Sequence, residues 1–142
     1  MSEPKRLAFV CVQNAGRSQM SAAFAREEVA ARGLDWEILT GGTHPADAVH
    51  PEFVEVMAEL DIDLSDREPQ ELTDEELSTC DVVATMGCST LELDADTDVR
   101  DWALPDPHGE DVERVREIRE TVREHVHDLF DELAAETAAS ED

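Results

Sequence analysis

Apolar positions follow two rhythms along this chain. Leu7-Ala8-Phe9-Val10-Cys11-Val12 is an unbroken apolar run of strand length, and Asp81-Val82-Val83-Ala84-Thr85-Met86 reads as another buried strand. Shorter strand signals lie at 36–40 and 99–104. Between them the spacing lengthens to three and four residues. An alanine-rich helix is predicted from Arg17-Ser18 to about Arg32, with Gly33 as its stop. A second helix begins at His50-Pro51, carrying Phe53, Val54, Val56, Met57 and Leu60. Thr73-Asp74-Glu75-Glu76 reads as a capping box opening a short helix. The longest periodic stretch contains Val112, Val115, Ile118, Val122, Val126, Leu129 and Leu133 at helical spacing. Strands alternating with helices predict an α/β fold with four parallel strands flanked by about five helices.

At 142 residues the chain has room for one domain. That domain is expected over residues 1–136, with 137–142 a frayed acidic tail. Charge changes the picture more than length does. Asp and Glu number 36 against 11 Lys and Arg, only Lys5 being a lysine, for a net charge of -25. So negative a surface disfavours nucleic acid and anionic membranes as partners. Acids spread along the whole chain, with lysine almost absent, suit a protein of a salt-accumulating halophile. No apolar run approaches the roughly 20 residues of a membrane span, and no signal-peptide pattern precedes 7–12. A cytoplasmic protein is expected. Cys11, Cys80 and Cys88 form neither a disulfide framework nor a Cys-x-x-Cys metal pair. The five histidines show no metal-ligand spacing, and no metal or tightly bound cofactor is expected.

The chemistry concentrates in Cys11-Val12-Gln13-Asn14-Ala15-Gly16-Arg17-Ser18. A buried strand ends in a cysteine, a tight turn follows, and a helix begins. Such a turn directs successive N–H groups inward as an anion nest, and the helix start adds partial positive charge. Arg17 contributes a planar fork able to grip two oxygens of one tetrahedral anion. The same field favours the thiolate of Cys11, and the Ser18 hydroxyl can donate to it. Val12, Gln13, Asn14, Ala15, Gly16, Arg17 and Ser18 are therefore the expected oxyanion-binding residues, and Cys11 the nucleophile.

These residues, continued by Gln19-Met20, resemble the signature of thiol-dependent arsenate reductases on the low-molecular-weight protein tyrosine phosphatase fold. The resemblance runs on through Gly41-Gly42-Thr43, residues 57–65, Val83-Ala84-Thr85-Met86-Gly87-Cys88 and Asp101-Trp102-Ala103-Leu104-Pro105-Asp106-Pro107. It covers nearly the whole chain in order. It implies a four-stranded parallel sheet, Cys11 as nucleophile, Arg17 as anion clamp and Asp106 as general acid. A carboxyl beside the anion site suits the protonation of a leaving oxygen. The resemblance also places a resolving thiol at Cys88, just past the third strand.

Two enzyme readings remain open at this point, with a third from another class. An arsenate reductase would use Cys11, Arg17, Asp106 and Cys88, with thioredoxin or a low-molecular-weight thiol as reductant. A phosphatase would need only Cys11, Arg17 and Asp106. A non-catalytic oxyanion binder or redox sensor would use Cys11 alone. Three-cysteine reductases carry another cysteine soon after the first resolving one, and 89–95 contains none. Cys80 precedes the strand that Cys88 follows, so six strand residues put it on the order of 20 Å away. Phosphotyrosine enzymes line their entrance with aromatics, but this chain has no Tyr, and Trp36 and Trp102 suit a core role equally well.

Overall fold

The computed structural model describes residues 5–11, 14, 16–42, 46–65, 67–85, 98–102 and 111–140. Strand β1 (Arg6–Cys11) is followed by helix α1 (Arg17–Arg32), β2 (Glu37–Gly42), α2 (Pro51–Ala58), α3 (Asp74–Ser78), β3 (Val82–Thr85), β4 (Asp98–Asp101) and α4 (Val112–Ser140). The strands form one sheet in the order β2-β1-β3-β4, and every pairing is parallel. The four strands are those expected. The described residues contain four helices, against the expectation of about five.

Local chemistry explains the element ends. Gly33 takes a left-handed φ of 64°, its N–H donating to Ala30 O, while the Leu34 N–H reaches Val29 O at 2.9 Å. Pro51 sits at the start of α2, where a missing N–H costs nothing. The Thr73 hydroxyl accepts the Glu76 N–H at 3.1 Å and caps α3. Two boundaries differ from expectation. Strand β2 continues to Gly42, two residues past the strand signal at 36–40, because Gly41 and Gly42 stay in ladder register with Val10 and Cys11. A Cβ at Gly41 would fall 2.5 Å from Leu72 Cγ, so only glycine fits there. Helix α4 remains helical to Ser140, beyond the 136 expected for the ordered domain.

The pleat of the sheet sorts the core into two layers. Leu7, Phe9, Cys11, Val82 and Ala84 face a large cluster built with Met20 and Phe24 of α1, Phe53, Val56 and Met57 of α2, and Val115 to Leu133 of α4. Ala8, Val10 and Val83 point the other way, onto Leu77 of α3 and Cys80. Full burial of each large apolar side chain is worth about 1.5–3 kcal/mol, and the first layer holds most of them. That layer fixes β1 against α1, and so fixes the turn between them. Trp36 stacks on Phe130 at 5.3 Å at the opening end of β2, away from Cys11. Trp102 stacks on His125 at 5.2 Å and lies 5.9 Å from Phe9. Both indoles are partly buried against the core. No helix among the described residues is long and apolar enough to cross a membrane.

Candidate active site

Successive parallel strands leave β1 in opposite directions: β2 pairs on one side and β3 on the other. The crevice at the carboxyl end of β1 is thus a topological switch point, where open α/β sheets bind ligands. Cys11 closes β1 at that position, with 3% of its surface exposed. Two donors converge on its sulfur. The Asn14 N–H lies 3.2 Å from Cys11 Sγ, and Ser18 Oγ lies 2.9 Å from it.

Asn14 is the hub of the turn. Its φ of 51° is left-handed, a region that asparagine tolerates better than most residues. It is wholly buried. Its Nδ2 donates to Ser18 Oγ at 2.7 Å and to Thr40 Oγ1 at 2.8 Å. Its Oδ1 accepts from Gln19 Nε2 and from the Gln70 N–H, both at 3.0 Å. A backbone N–H can only donate, so the Gln70 contact fixes which way the Asn14 amide points. All four hydrogen-bonding capacities of that side chain are used. Because Ser18 Oγ accepts from Asn14, its own hydrogen is available to Cys11 Sγ. Thr40 in turn donates to Phe9 O at 2.9 Å, and Gln70 Nε2 donates to Thr40 O at 2.8 Å. The turn is therefore clamped between β1, β2 and the segment before α3.

Gly16 and Arg17 complete the described part of the turn. A Cβ on Gly16 would lie 2.4 Å from Phe53 Cζ, so the close approach of α2 requires glycine. Gly16 is also the residue before α1 and offers no side chain to cap it. The first turn of α1 carries no acidic residue. Its N–H groups and partial positive charge are thus directed at the sulfur's surroundings without a competing carboxylate. Arg17 opens that helix, partly buried.

Of the expected site residues, the structure brings together Cys11, Asn14, Gly16, Arg17 and Ser18. Val12, Gln13, Ala15, Cys88 and Asp106 lie outside the described residues. Cys80 is separate from this group. It is buried on the opposite face of the sheet, before the start of β3, and burial pushes its thiol pKa up. Gln19, Thr40 and Gln70 carry the clamp on Asn14, and pattern reading did not find them. Gln19 had one available signal, an amide on the buried stretch of an otherwise alanine-rich helix. Gln70 had none, since it meets Asn14 across 56 residues of chain.

A cysteine thiol held by two donors, at the end of a parallel strand and the start of a helix, defines a thiol enzyme for tetrahedral oxyanions. The chain belongs to the low molecular weight phosphotyrosine protein phosphatase family, whose model matches residues 6–139. A Halobacterium salinarum protein provisionally described as an arsenate reductase is 65% identical over 131 residues, covering 90% of this chain and 92% of that protein. Among solved structures, the thioredoxin-dependent arsenate reductase of Corynebacterium glutamicum is 30% identical with a TM-score of 0.79. That match covers 95% of this chain and 64% of the other. An arsenate reductase in its phosphate-binding state is 29% identical, with a TM-score of 0.77, over 90% of this chain and 98% of the other. The acidic composition agrees with kinship to a halophile's protein.

Proposed function

We propose that this chain is an arsenate reductase that works through Cys11. The observation that carries the reading is the pair of donors on Cys11 Sγ, from Asn14 N–H and Ser18 Oγ, in a chain 65% identical to the Halobacterium relative. Both donors stabilise negative charge on sulfur. The thiolate attacks arsenic, and an S–As bond forms as one oxygen leaves as water. Asp106 supplies a proton to that leaving oxygen, and Arg17 holds two of the remaining oxygens.

Cys88 then attacks Cys11 sulfur. An S–S bond forms, the S–As bond breaks, and its electron pair passes to arsenic. Arsenic(V) is thereby reduced to arsenic(III) and leaves as arsenite, while two thiols become one disulfide. Thr85 closes β3 beside Val10, and Cys88 follows it by three residues. Three residues span at most about 10 Å, a tether that allows the sulfurs to meet. With no cysteine in 89–95, the Cys11–Cys88 disulfide is reduced directly by an external dithiol or thiol. Thioredoxin is the first candidate, as the Corynebacterium glutamicum enzyme depends on it.

The deciding experiment measures arsenite formation with thioredoxin, with a low-molecular-weight thiol, and with neither, beside hydrolysis of an aryl phosphate. Wild type should form arsenite, and one turnover should leave Cys11 bonded to Cys88 by mass spectrometry. Cys88→Ser should stop the internal route and leave aryl phosphate hydrolysis nearly unchanged. Full arsenate turnover by Cys88→Ser under every reductant would remove Cys88 from the mechanism. Aryl phosphate hydrolysis without arsenite would make the protein a phosphatase.

A further inference from the structure

Helices α1 and α4 meet in a closed ring of four charged side chains, two from each helix. Arg32 Nε donates to Glu28 Oε2 at 2.7 Å, and Arg32 Nη2 donates to Asp131 Oδ1 at 2.8 Å. His127 faces the remaining oxygen of each carboxylate. Its Nδ1 lies 3.2 Å from Glu28 Oε1, and its Nε2 lies 3.3 Å from Asp131 Oδ2. Cations and carboxylates thus alternate around the ring. Helical spacing places the partners: Glu28 and Arg32 stand one turn apart on α1, as His127 and Asp131 do on α4. The ring sits above apolar core. Arg32 lies over the Phe130 ring at 5.8 Å, Trp36 stacks on that ring at 5.3 Å, and Phe130 itself is wholly buried.

This geometry selects one protonation state of His127. A neutral imidazole carries one N–H and one lone pair. Whichever nitrogen lacked the proton would face an ionised carboxylate, which can only accept, lone pair against lone pair. Both contacts are attractive only for the imidazolium, and only then is the ring neutral. The hydrogen bond to Glu28, and then the charge of Asp131, holds the His127 pKa above the usual histidine range, against the opposing charge of Arg32. Further charges beside His127 come from α4: Glu120, Arg123 and Glu124 line the open cleft that it shares with Glu28. Arg123 is drawn to Glu120 and to the Phe24 ring, and Glu124 adds to the negative field. Asp128 lines a separate cleft with Arg100 and Trp102. His127 is exposed, so solvent protons reach it without any opening of the fold.

We propose that His127 is a proton-operated latch between α1 and α4. With the imidazolium in place the ring is closed, and the C-terminal half of α4 is fastened to the end of α1. Loss of the proton turns one of the two histidine contacts repulsive. The ring then opens on that side, leaving Arg32 as the single cation between two carboxylates. Because the folded state binds this proton more tightly, the latch contributes fully below the ordinary histidine value of about 6.5. Its contribution is lost as pH rises through the higher folded value. The consequence is pH control over how firmly residues 127–135 stay docked beside Phe130 and Trp36. The latch is independent of the reaction at Cys11 and stands whether or not the chain reduces arsenate.

Proton NMR of the histidine rings against pH, at low KCl, tests the ring, with His127→Gln assigning the His127 signal. Glu28→Gln and Asp131→Asn should each weaken the proton affinity of His127 severalfold relative to wild type. Hydrogen exchange read by mass spectrometry tests the latch, with rates corrected for the base catalysis of free-peptide exchange. In wild type, protection over residues 28–33 and 127–135 should fall severalfold as pH rises through the His127 midpoint. His127→Gln should remove that pH dependence. His127→Arg, whose charge is permanent, should retain the low-pH protection at high pH. High KCl should shrink the wild-type change. The same His127 midpoint in wild type and in both carboxylate variants would overturn the proposal. So would wild-type protection that does not change with pH, or protection that changes as much in His127→Gln as in wild type.

Discussion

Replacing Asn14 by alanine tests the architecture of the catalytic turn most directly. The substitution removes four buried side-chain hydrogen bonds, to Ser18, Thr40, Gln19 and Gln70. At about 1 kcal/mol net each, they amount to about 4 kcal/mol. Alanine must also hold the left-handed φ of 51°, which costs about 1–2 kcal/mol. Water entering the vacated space, or Ser18 and Thr40 turning to each other, offsets part of the sum. An overall loss of about 3–5 kcal/mol is expected, a large fraction of the roughly 5–15 kcal/mol that holds a domain folded. Asn14→Gly separates the two causes. Glycine loses the same hydrogen bonds but adopts the left-handed conformation freely, so it should be about 1 kcal/mol more stable than Asn14→Ala. Stability is read from guanidinium unfolding at fixed KCl. The turn itself is read from the iodoacetamide rate at Cys11 at one pH, by peptide mass spectrometry. Both variants should change that rate severalfold, because the Asn14 N–H no longer lies fixed on the sulfur. Destabilisation below about 1 kcal/mol with an unaltered alkylation rate would show that Asn14 does not organise the turn.

Three further outcomes follow from the geometry. Gly16→Ala drives a Cβ to within 2.4–2.8 Å of the Phe53 ring, which is 1% exposed and cannot swing away; it should cost about 1–3 kcal/mol. Adding Phe53→Leu should recover part of that loss, and strict additivity in the double-mutant cycle would refute the clash. Burial raises the Cys80 thiol pKa, so native protein should alkylate at Cys80 only on unfolding; labelling of the native state at a free-thiol rate would contradict its placement. Hydrogen bonds from Arg116 and Arg119 hold the Glu59 carboxyl at about 2, below its usual 4.5. Its stabilising contribution is complete above pH 4.5 and is lost as pH falls towards 2. Glu59→Gln should flatten the acid limb of the stability profile over that window, an effect that shrinks in high salt; an unchanged limb at low salt would argue against the pairing.

What the chain's own order of residues determined is local. Leu7 to Cys11 is apolar enough to be a buried strand wherever it lies, Gly33 stops a helix by its backbone freedom, and Thr73 caps one by its hydroxyl. These effects act within a few residues, so pattern and spacing reveal them. The Cys11 to Ser18 segment was legible for the same reason: strand end, turn and helix start are contiguous, and their donors meet without help from elsewhere. The resemblance to a known family extended that reading to Asp106 and Cys88. Tertiary structure decided what distant segments do to the turn. Gln70 reaches Asn14 from 56 residues away and Thr40 from 26, and Phe53 of α2 dictates that residue 16 have no side chain. Strand β2 ran on through Gly41 and Gly42 because β1 offered a ladder to them, against their own turn preference. Charge pairing is tertiary too: Arg116 and Arg119 meet Glu59 across 57 and 60 residues of chain, since it is settled by which surfaces meet in space rather than by which residues follow in sequence.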